Sequence, residues 1–353
     1  MHKVHKILVI KLRAIGDVVL STSVLPSLRS AYPNSEIHFL VETSGKDVVE
    51  DNPNVDRIVI LPRKEWERLS GPARFRENIR FIKELRSFQY DLVFDLFGNP
   101  RSAILTLFSG ARTRIGFAFR GRKIAYTHKV TPRGAHVHEV EFNLDALRHL
   151  DIPIVSKSPC FPIKPTNRQM LQDWLNDKGL KDAFLIGIHA WGSWDAKRWE
   201  LEKFARLADH LIRIYQAKII LLWGPGEKEY ARQVQAYMKH PACLAPETSL
   251  KELGGLISLC HLIVANDSGP MHIAAAVGTP TVGIFGPTHY QLQGPYGPQH
   301  GVAYKKDLIC LGCNRLECKE RTCMDTLEVE DVLEVIKSIL NKPVRKFKKL
   351  KVS

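Results

Sequence analysis

Short, nearly continuous apolar runs alternate along this chain with segments whose apolar residues recur every three or four positions. In the first half KILVIKL (6–12), SEIHFLV (35–41), DRIVILP (56–62), DLVFDLF (91–97) and TRIGFAF (113–119) read as strands. VVLSTSVLPSLRSAY (18–32) and RFRENIRFIKELRSF (74–88) read as helices between them. In the second half the strands are FLIGIHA (184–190), AKIILLWG (217–224), CHLIVAN (260–266) and PTVGIFG (280–286), with helices over 201–215, 227–239, 249–258 and 327–340. Strands that are apolar throughout, rather than at every second position, are buried on both faces. With helices between them they predict a parallel sheet covered on both sides.

At 353 residues the chain is longer than one ordinary core. SKSPCFPIKPTN (156–167) has three prolines in twelve residues and reads as a linker. The expected organisation is α/β, with two Rossmann-like doubly wound domains at 1–160 and 161–340 and a basic tail at 341–353. Such domains leave a central cleft between them, with ligands at the carboxyl ends of the strands.

Composition narrows the class. Hydrophobic content of 44% and charged content of 25% are those of a soluble globular protein. No stretch approaches the 18 or more apolar residues of a membrane span. The opening MHKVHKILVIKLRAIGDVV lacks the apolar core and cleavage site of a signal peptide, so the protein is expected in the cytoplasm. The formal charge of +14 calls for an acidic partner: nucleic acid, anionic lipid or a phosphorylated substrate. Residues 101–133 hold eight basic side chains, among them Arg120 and Arg122, and no Asp or Glu. Arg57, Arg63, Lys64, Arg68, Arg74 and Arg76 form an earlier group, and the tail adds six more.

The densest chemistry lies at 264–287, VANDSGPMHIAAAVGTPTVGIFGP. An apolar strand runs into a tight Asp267-Ser268-Gly269 turn, a small-residue helix opens at Pro270, and a second strand follows Gly278. Backbone N–H groups and the positive end of the helix dipole then make a cradle for an anion such as a diphosphate. The alternative is an ordinary strand-turn-helix in which Asp267 or Ser268 caps the helix. His272 sits one turn in, where it can face the anion.

The turn after the first strand, RAIGDVVLST, has one glycine. It is neither G-x-G-x-x-G nor a Walker A loop, and neither occurs elsewhere, which argues against a dinucleotide dehydrogenase or a P-loop kinase. Asp17 there is either a helix cap or a general base, ionised at neutral pH and able to receive a proton late in a transition state. HAWGSWDAKRWE (189–200) follows a strand directly. Gly192 and Ser193 can offer close contacts, and Lys197 a charge for phosphate oxygens. Glu227, in GPGEKE, either complements a helix dipole or accepts hydrogen bonds from a ribose diol. No D-x-D triplet is present to hold a divalent ion at a sugar diphosphate. Cys310, Cys313, Cys318 and Cys323, spaced C-x2-C-x4-C-x4-C, are either four zinc ligands or free thiols.

Taken in order, KLRAIGDVVLSTSVLPSLR, GSWDAKRWE, WGPGE and NDSGPMHIAAAVGTPTVGIFGPT resemble glycosyltransferase family 9, the ADP-heptose:lipopolysaccharide heptosyltransferases, from Lys6 to about Leu340. CLGCNRLECKERTC is similar to the cysteine-containing segment of the heptosyltransferase II type. The resemblance implies a GT-B fold and an inverting, metal-independent transfer of heptose from ADP-heptose to the lipopolysaccharide inner core. It implies no required cofactor. Asp17 matches the catalytic aspartate and Lys197 the donor-phosphate lysine. Asp267, Ser268, Gly269 and His272 match the donor motif, with Ser268 where Thr is usual. Glu227 matches the ribose carboxylate, Thr248 a position near the adenine, and Gly192 and Ser193 donor contacts. The family's tryptophan-proline after the lysine is here Trp199-Glu200. The basic first domain, with Arg63, Lys64, Arg120 and Arg122, would meet the phosphates and carboxylates of lipid A and Kdo. The implied place is the cytoplasmic face of the inner membrane, as a peripheral protein. A nucleic-acid partner is not expected.

Overall fold

A computed structural model describes residues 3–12, 14–131, 133–134 and 137–341, without the side chain of Arg120. The expected basic tail therefore lies, past Asn341, outside the described residues. The chain divides between Lys164 and Pro165 into two compact units. Residues up to that point pack on the first unit, where Cys160 donates its N–H to Thr22 Oγ1 (2.8 Å) and Lys164 pairs with Asp51 (3.3 Å). Pro165 then opens a helix, Pro165–Asp177, in the first turn, where a missing N–H costs nothing.

The first unit is a six-stranded parallel sheet of β1 (Lys6–Ile10), β2 (Glu36–Glu42), β3 (Arg57–Leu61), β4 (Leu92–Asp95), β5 (Thr113–Phe117) and β6 (His128–Val130). Its order is β3-β2-β1-β4-β5-β6. Val9 of β1 lies opposite Phe39 of β2 and Phe94 of β4, and all three are fully buried. The second unit repeats the plan with β7 (Leu185–His189), β8 (Lys218–Leu221), β9 (Cys243–Leu244), β10 (Leu262–Asn266), β11 (Thr281–Ile284) and β12 (Gly301–Ala303), in the order β12-β11-β10-β7-β8-β9. Counted from its own first strand, each sheet runs 3-2-1-4-5-6. The strand order reverses beside β1 and β4 in one unit and beside β7 and β10 in the other, where doubly wound sheets open a crevice.

Nine strands fall where the apolar runs predict them. β6, β9 and β12 carry two or three residues each, too few to leave a pattern, and lie at sheet edges, where short strands limit unwanted pairing. The helix expected over 18–32 is interrupted. It runs Ile15–Ser21, tightens to a 3-10 turn at Thr22–Val24, and resumes at Leu25–Ala31. Ser21, Thr22 and Ser23 each donate a hydroxyl hydrogen bond to the carbonyl three residues back (2.7–2.9 Å). Such back-bonding competes with the regular ladder, and Pro26 follows it. Among the described residues, no helix is long and apolar enough to cross a membrane.

Gly116 on β5 shows how tightly the first crevice is packed. A Cβ there would meet the Tyr126 ring at 2.3 Å. That ring delivers its hydroxyl to Asp95 Oδ2 (2.7 Å), while Phe97 and Gly98 donate N–H groups to Oδ1 (3.0 and 2.9 Å). Gly116→Val should displace the ring and strip this bond from a buried carboxyl. Urea unfolding should then show roughly 2–4 kcal/mol lost, overpacking plus one buried polar group. A loss under about 0.5 kcal/mol, the range of ordinary surface changes, would mean the ring moves freely.

Candidate functional site

In the second unit the chemistry gathers at the carboxyl ends of β7, β8 and β10. After β10, Asp267 and Ser268 lead into the Gly269–Ala276 helix. Ser268 occupies the cap position, yet its side chain makes no capping hydrogen bond. The capping alternative is thus replaced by another arrangement. Asp267 Oδ2 takes the Lys197 ammonium at 2.7 Å and the Thr288 hydroxyl at 2.8 Å. Both members of the ion pair are buried, and the Lys197 ammonium also lies 4.1 Å from the centre of the Trp194 ring. His272 Nε2 stands 4.0 Å from Asp267 Oδ1. Lys197, Asp267, Ser268, Gly269 and His272 are therefore brought to one place, a fixed cation beside an uncapped helix N-terminus.

Glu227 joins this group through a residue the sequence did not single out. His189, the last residue of β7, is buried. Its Nε2 lies 3.0 Å from Glu227 Oε2 and its Nδ1 3.3 Å from Ser268 Oγ. Glu227 Oε2 also accepts the N–H of Gly224 (2.8 Å). The imidazole thus spans from the β8 loop to the β10 turn. Asn266 is a second missed residue: its amide donates to Ala190 O (2.9 Å) and accepts from Trp199 N–H (3.2 Å), tying the Lys197 loop to β10. Gly192 accepts from Arg198 Nε (2.7 Å), whose guanidinium stacks 3.4 Å above the Trp191 ring. Gly192 is buried and Ser193 exposed in this loop. Thr248 lies half-buried past the end of β9, on the same carboxyl side of the sheet, next to the Ser249 cap of the Leu250–Leu259 helix.

In the first unit Asp17 is half-buried in the first turn of the Ile15–Ser21 helix, whose cap position belongs to Ala14. It is not the helix cap. Nearby, Lys11 at the end of β1 is buried, with its ammonium on Leu96 O (2.9 Å) and Glu139 Oε1 (2.6 Å). Burial alone would push this lysine down. The carboxylates of Glu139, Asp17 and Asp95, with the Glu139 hydrogen bond, outweigh it and hold the ammonium above its usual range. A buried cation thus lies within electrostatic reach of Asp17, a feature hidden in the KLR of the first motif.

The basic candidates divide. Arg63 is engaged by Glu42 (2.7 Å) and Glu67 (2.5 Å) on the wall of a cavity of about 160 Å³ that also takes Trp66, Arg74, Asn78 and Arg101. Lys64 is exposed. Arg122 is half-buried over the Phe119 ring at 5.7 Å, and the Arg120 side chain lies outside the described residues.

Cys310, Cys313, Cys318 and Cys323 are free thiols, and among the described residues no three His, Cys, Asp or Glu side chains form a group suited to a metal ion. Cys323 is buried behind Gly286, where a Cβ would meet its sulfur at 2.8 Å, whereas Cys310 and Cys313 are exposed on a turn whose Gly312 N–H is tied to Gly286 O (3.0 Å). Burial first, and then the three neighbouring thiols, push the Cys323 thiol up to about 11.

A family model described as Glycosyltransferase family 9 (heptosyltransferase) matches residues 78–324. Lipopolysaccharide heptosyltransferase 3 of Escherichia coli is 29% identical over 291 residues, covering 80% of this chain and 83% of the relative. Among solved structures, the glycosyl transferase family 9 protein from Veillonella parvula DSM 2008 matches with a TM-score of 0.84 at 24% identity, over 95% of this chain and 97% of that one. E. coli heptosyltransferase WaaC with ADP matches with a TM-score of 0.72 at 22% identity, over 95% and 99%.

The Lys197–Asp267 pair can be tested without any ligand. Removing one member of a buried pair strands the other charge, at a cost of about 3–5 kcal/mol. Lys197→Met should lower the urea stability of the second unit by that amount, and Lys197→Met with Asp267→Leu should recover most of it. Stability unchanged in the single variant would mean that the pair is solvated and holds nothing in place.

Proposed function

This chain belongs to glycosyltransferase family 9, with the GT-B fold, and from that footing we propose that it moves a heptose from ADP-heptose to the inner core of lipopolysaccharide, onto a Kdo or heptose acceptor. The observation that carries the reading is the uncapped Gly269–Ala276 helix with the Lys197 ammonium fixed beside it. A diphosphate suits such a place because backbone N–H groups, helix dipole and ammonium all favour negative charge. The relatives support the reading: one is named for heptosyl transfer to lipopolysaccharide, and another was solved with ADP.

In this reading Asp267 takes one of the three donors of Lys197, and phosphate oxygens take others. Glu227, held by His189 and Gly224, accepts hydrogen bonds from the ribose diol. Gly192 and Ser193 line the donor, and Thr248 stands toward the adenine. Asp17 receives the proton of the acceptor hydroxyl as that oxygen attacks the anomeric carbon from the face opposite the diphosphate. One carbon–oxygen bond forms, the bond to ADP breaks, and configuration inverts. The negative charge released onto the diphosphate meets donors that are already in position, so the transfer proceeds without a metal ion. The buried Lys11 ammonium puts a positive charge within electrostatic reach of Asp17. Arg63, Lys64, Arg120 and Arg122 receive the phosphates and carboxylates of lipid A and Kdo. A lipid-anchored acceptor places the enzyme peripherally on the cytoplasmic face of the inner membrane.

Calorimetric titration with ADP, UDP and GDP in EDTA tests the donor. Selective ADP binding is the expected result, and preference for UDP or GDP would overturn ADP-heptose as donor. Asp17→Asn should lower turnover by roughly 100- to 10,000-fold, the usual worth of a positioned base, with ADP affinity unchanged. Turnover within a few-fold of wild type would remove Asp17 from the mechanism.

A further inference from the structure

Three elements of the first unit lie side by side and turn an apolar surface outward. The Pro100–Phe108 helix is in the middle. On one flank runs the Gly71–Ser87 helix: Arg101 shares a cavity with Arg74 and Asn78 near the start of both helices, and Arg86, in the last turn of the flanking helix, lies against Gly110 just past the end of the middle one. On the other flank Ala103 packs against Ala125 and Tyr126, at the close of the Arg120–Ala125 turn.

The middle helix already has its inner face filled, with Ser102, Ala103, Leu105 and Thr106 buried. Its Ile104, Leu107 and Phe108 stand exposed at positions i, i+3 and i+4, one continuous stripe. The flanking elements add Phe75 (69% exposed), Ile79 and Ile124 (77% exposed). These six are most of the large apolar side chains that the first unit exposes, and they fall on three adjacent elements. A helix stripe of this kind ordinarily faces a core, and a clustered outward patch marks a surface that something covers.

Charge identifies what covers it. Arg76, Arg80 and Lys83 are exposed on one flanking helix and Lys123 on the opposite flank, and residues 101–133 contain no carboxylate. The flanking helix does carry Glu77, which lies 3.9 Å from Arg80, and Glu84. A nucleic acid would use the arginines and leave the aliphatic stripe in water. An anionic bilayer uses both, taking apolar side chains into the headgroup boundary while basic heads reach lipid phosphates.

We propose that this face, centred on the Pro100–Phe108 helix, docks the protein on an anionic lipid bilayer, with Phe75, Ile104, Phe108 and Ile124 entering the headgroup region. The inference rests on the peripheral attachment proposed above and names the surface responsible.

The test is cosedimentation of the full chain with vesicles of phosphatidylcholine alone or with about one-third phosphatidylglycerol, at low and high salt. Wild type should bind the anionic vesicles and lose binding as salt rises. Ile104→Ser with Phe108→Ser should weaken that binding by roughly tenfold or more, since each buried apolar side chain contributes to interfacial affinity. Arg76→Glu with Arg80→Glu should abolish the preference for anionic lipid. An unchanged urea transition keeps both variants interpretable, and their ADP titration, read separately, reports the transferase reading. Failure of wild type to sediment with anionic vesicles would overturn attachment itself. Apolar variants that sediment like wild type would overturn the face, and loss only on deleting residues 342–353 would assign binding to the tail. Conversion of a dimer to a monomer by Ile104→Ser with Phe108→Ser, with vesicle binding intact, would assign the stripe to a second copy of the chain.

Discussion

Burial of both faces of the parallel strands constrains everything else in this protein. Val9, Phe39 and Phe94 in one sheet, and Ile263, Val264 and Ala265 in the other, leave no strand face to carry chemistry. The polar side chains of the site come where strands end, beside the point at which the order of each sheet reverses. Asp17 follows β1, His189 ends β7, and Asp267 follows β10 for this reason. The same burial makes the polar groups expensive to hold, so His189 and Asp267 are met by partners on neighbouring loops.

Those partners set the electrostatics of the site. Lys197 is held by Asp267, which is held by Thr288, and Glu227 is held by His189 and the Gly224 N–H. A cation fixed in this way needs little rearrangement when an anion arrives, the condition under which electrostatic stabilisation is most effective. Lys11 is the buried cation of the first unit: burial pushes its ammonium down, and the carboxylates of Glu139, Asp17 and Asp95 hold it above its usual range.

The cysteine segment is tied to the same framework. Gly312 and Asn314 donate to the carbonyls of Gly286 and Pro287, two residues before Thr288 and its bond to Asp267. Gly286 must lack a side chain because Cys323 and Met324 press against it. The segment thus braces the loop that positions the Asp267 carboxylate.

The sequence by itself determined most of the elements and which residues gather locally around the turn after β10. Short, nearly continuous apolar runs identified nine strands, and Asp267, Ser268, Gly269 and His272 were legible because they lie within six residues, so one turn and one helix bring them together. Lys197 and Glu227 were legible as charges on loops that follow strands. Tertiary structure alone decided their partners. His189 meets residues 38 and 79 positions away, and Lys11 reaches Glu139 across 128, separations at which spacing carries no information. It also broke the 18–32 helix, through hydroxyls whose alternative hydrogen bonds the apolar pattern does not register. The stripe of Ile104, Leu107 and Phe108 makes the same point. Helical periodicity shows that three side chains share a face, and only the packing of the neighbouring elements decides whether that face meets the core or the solvent.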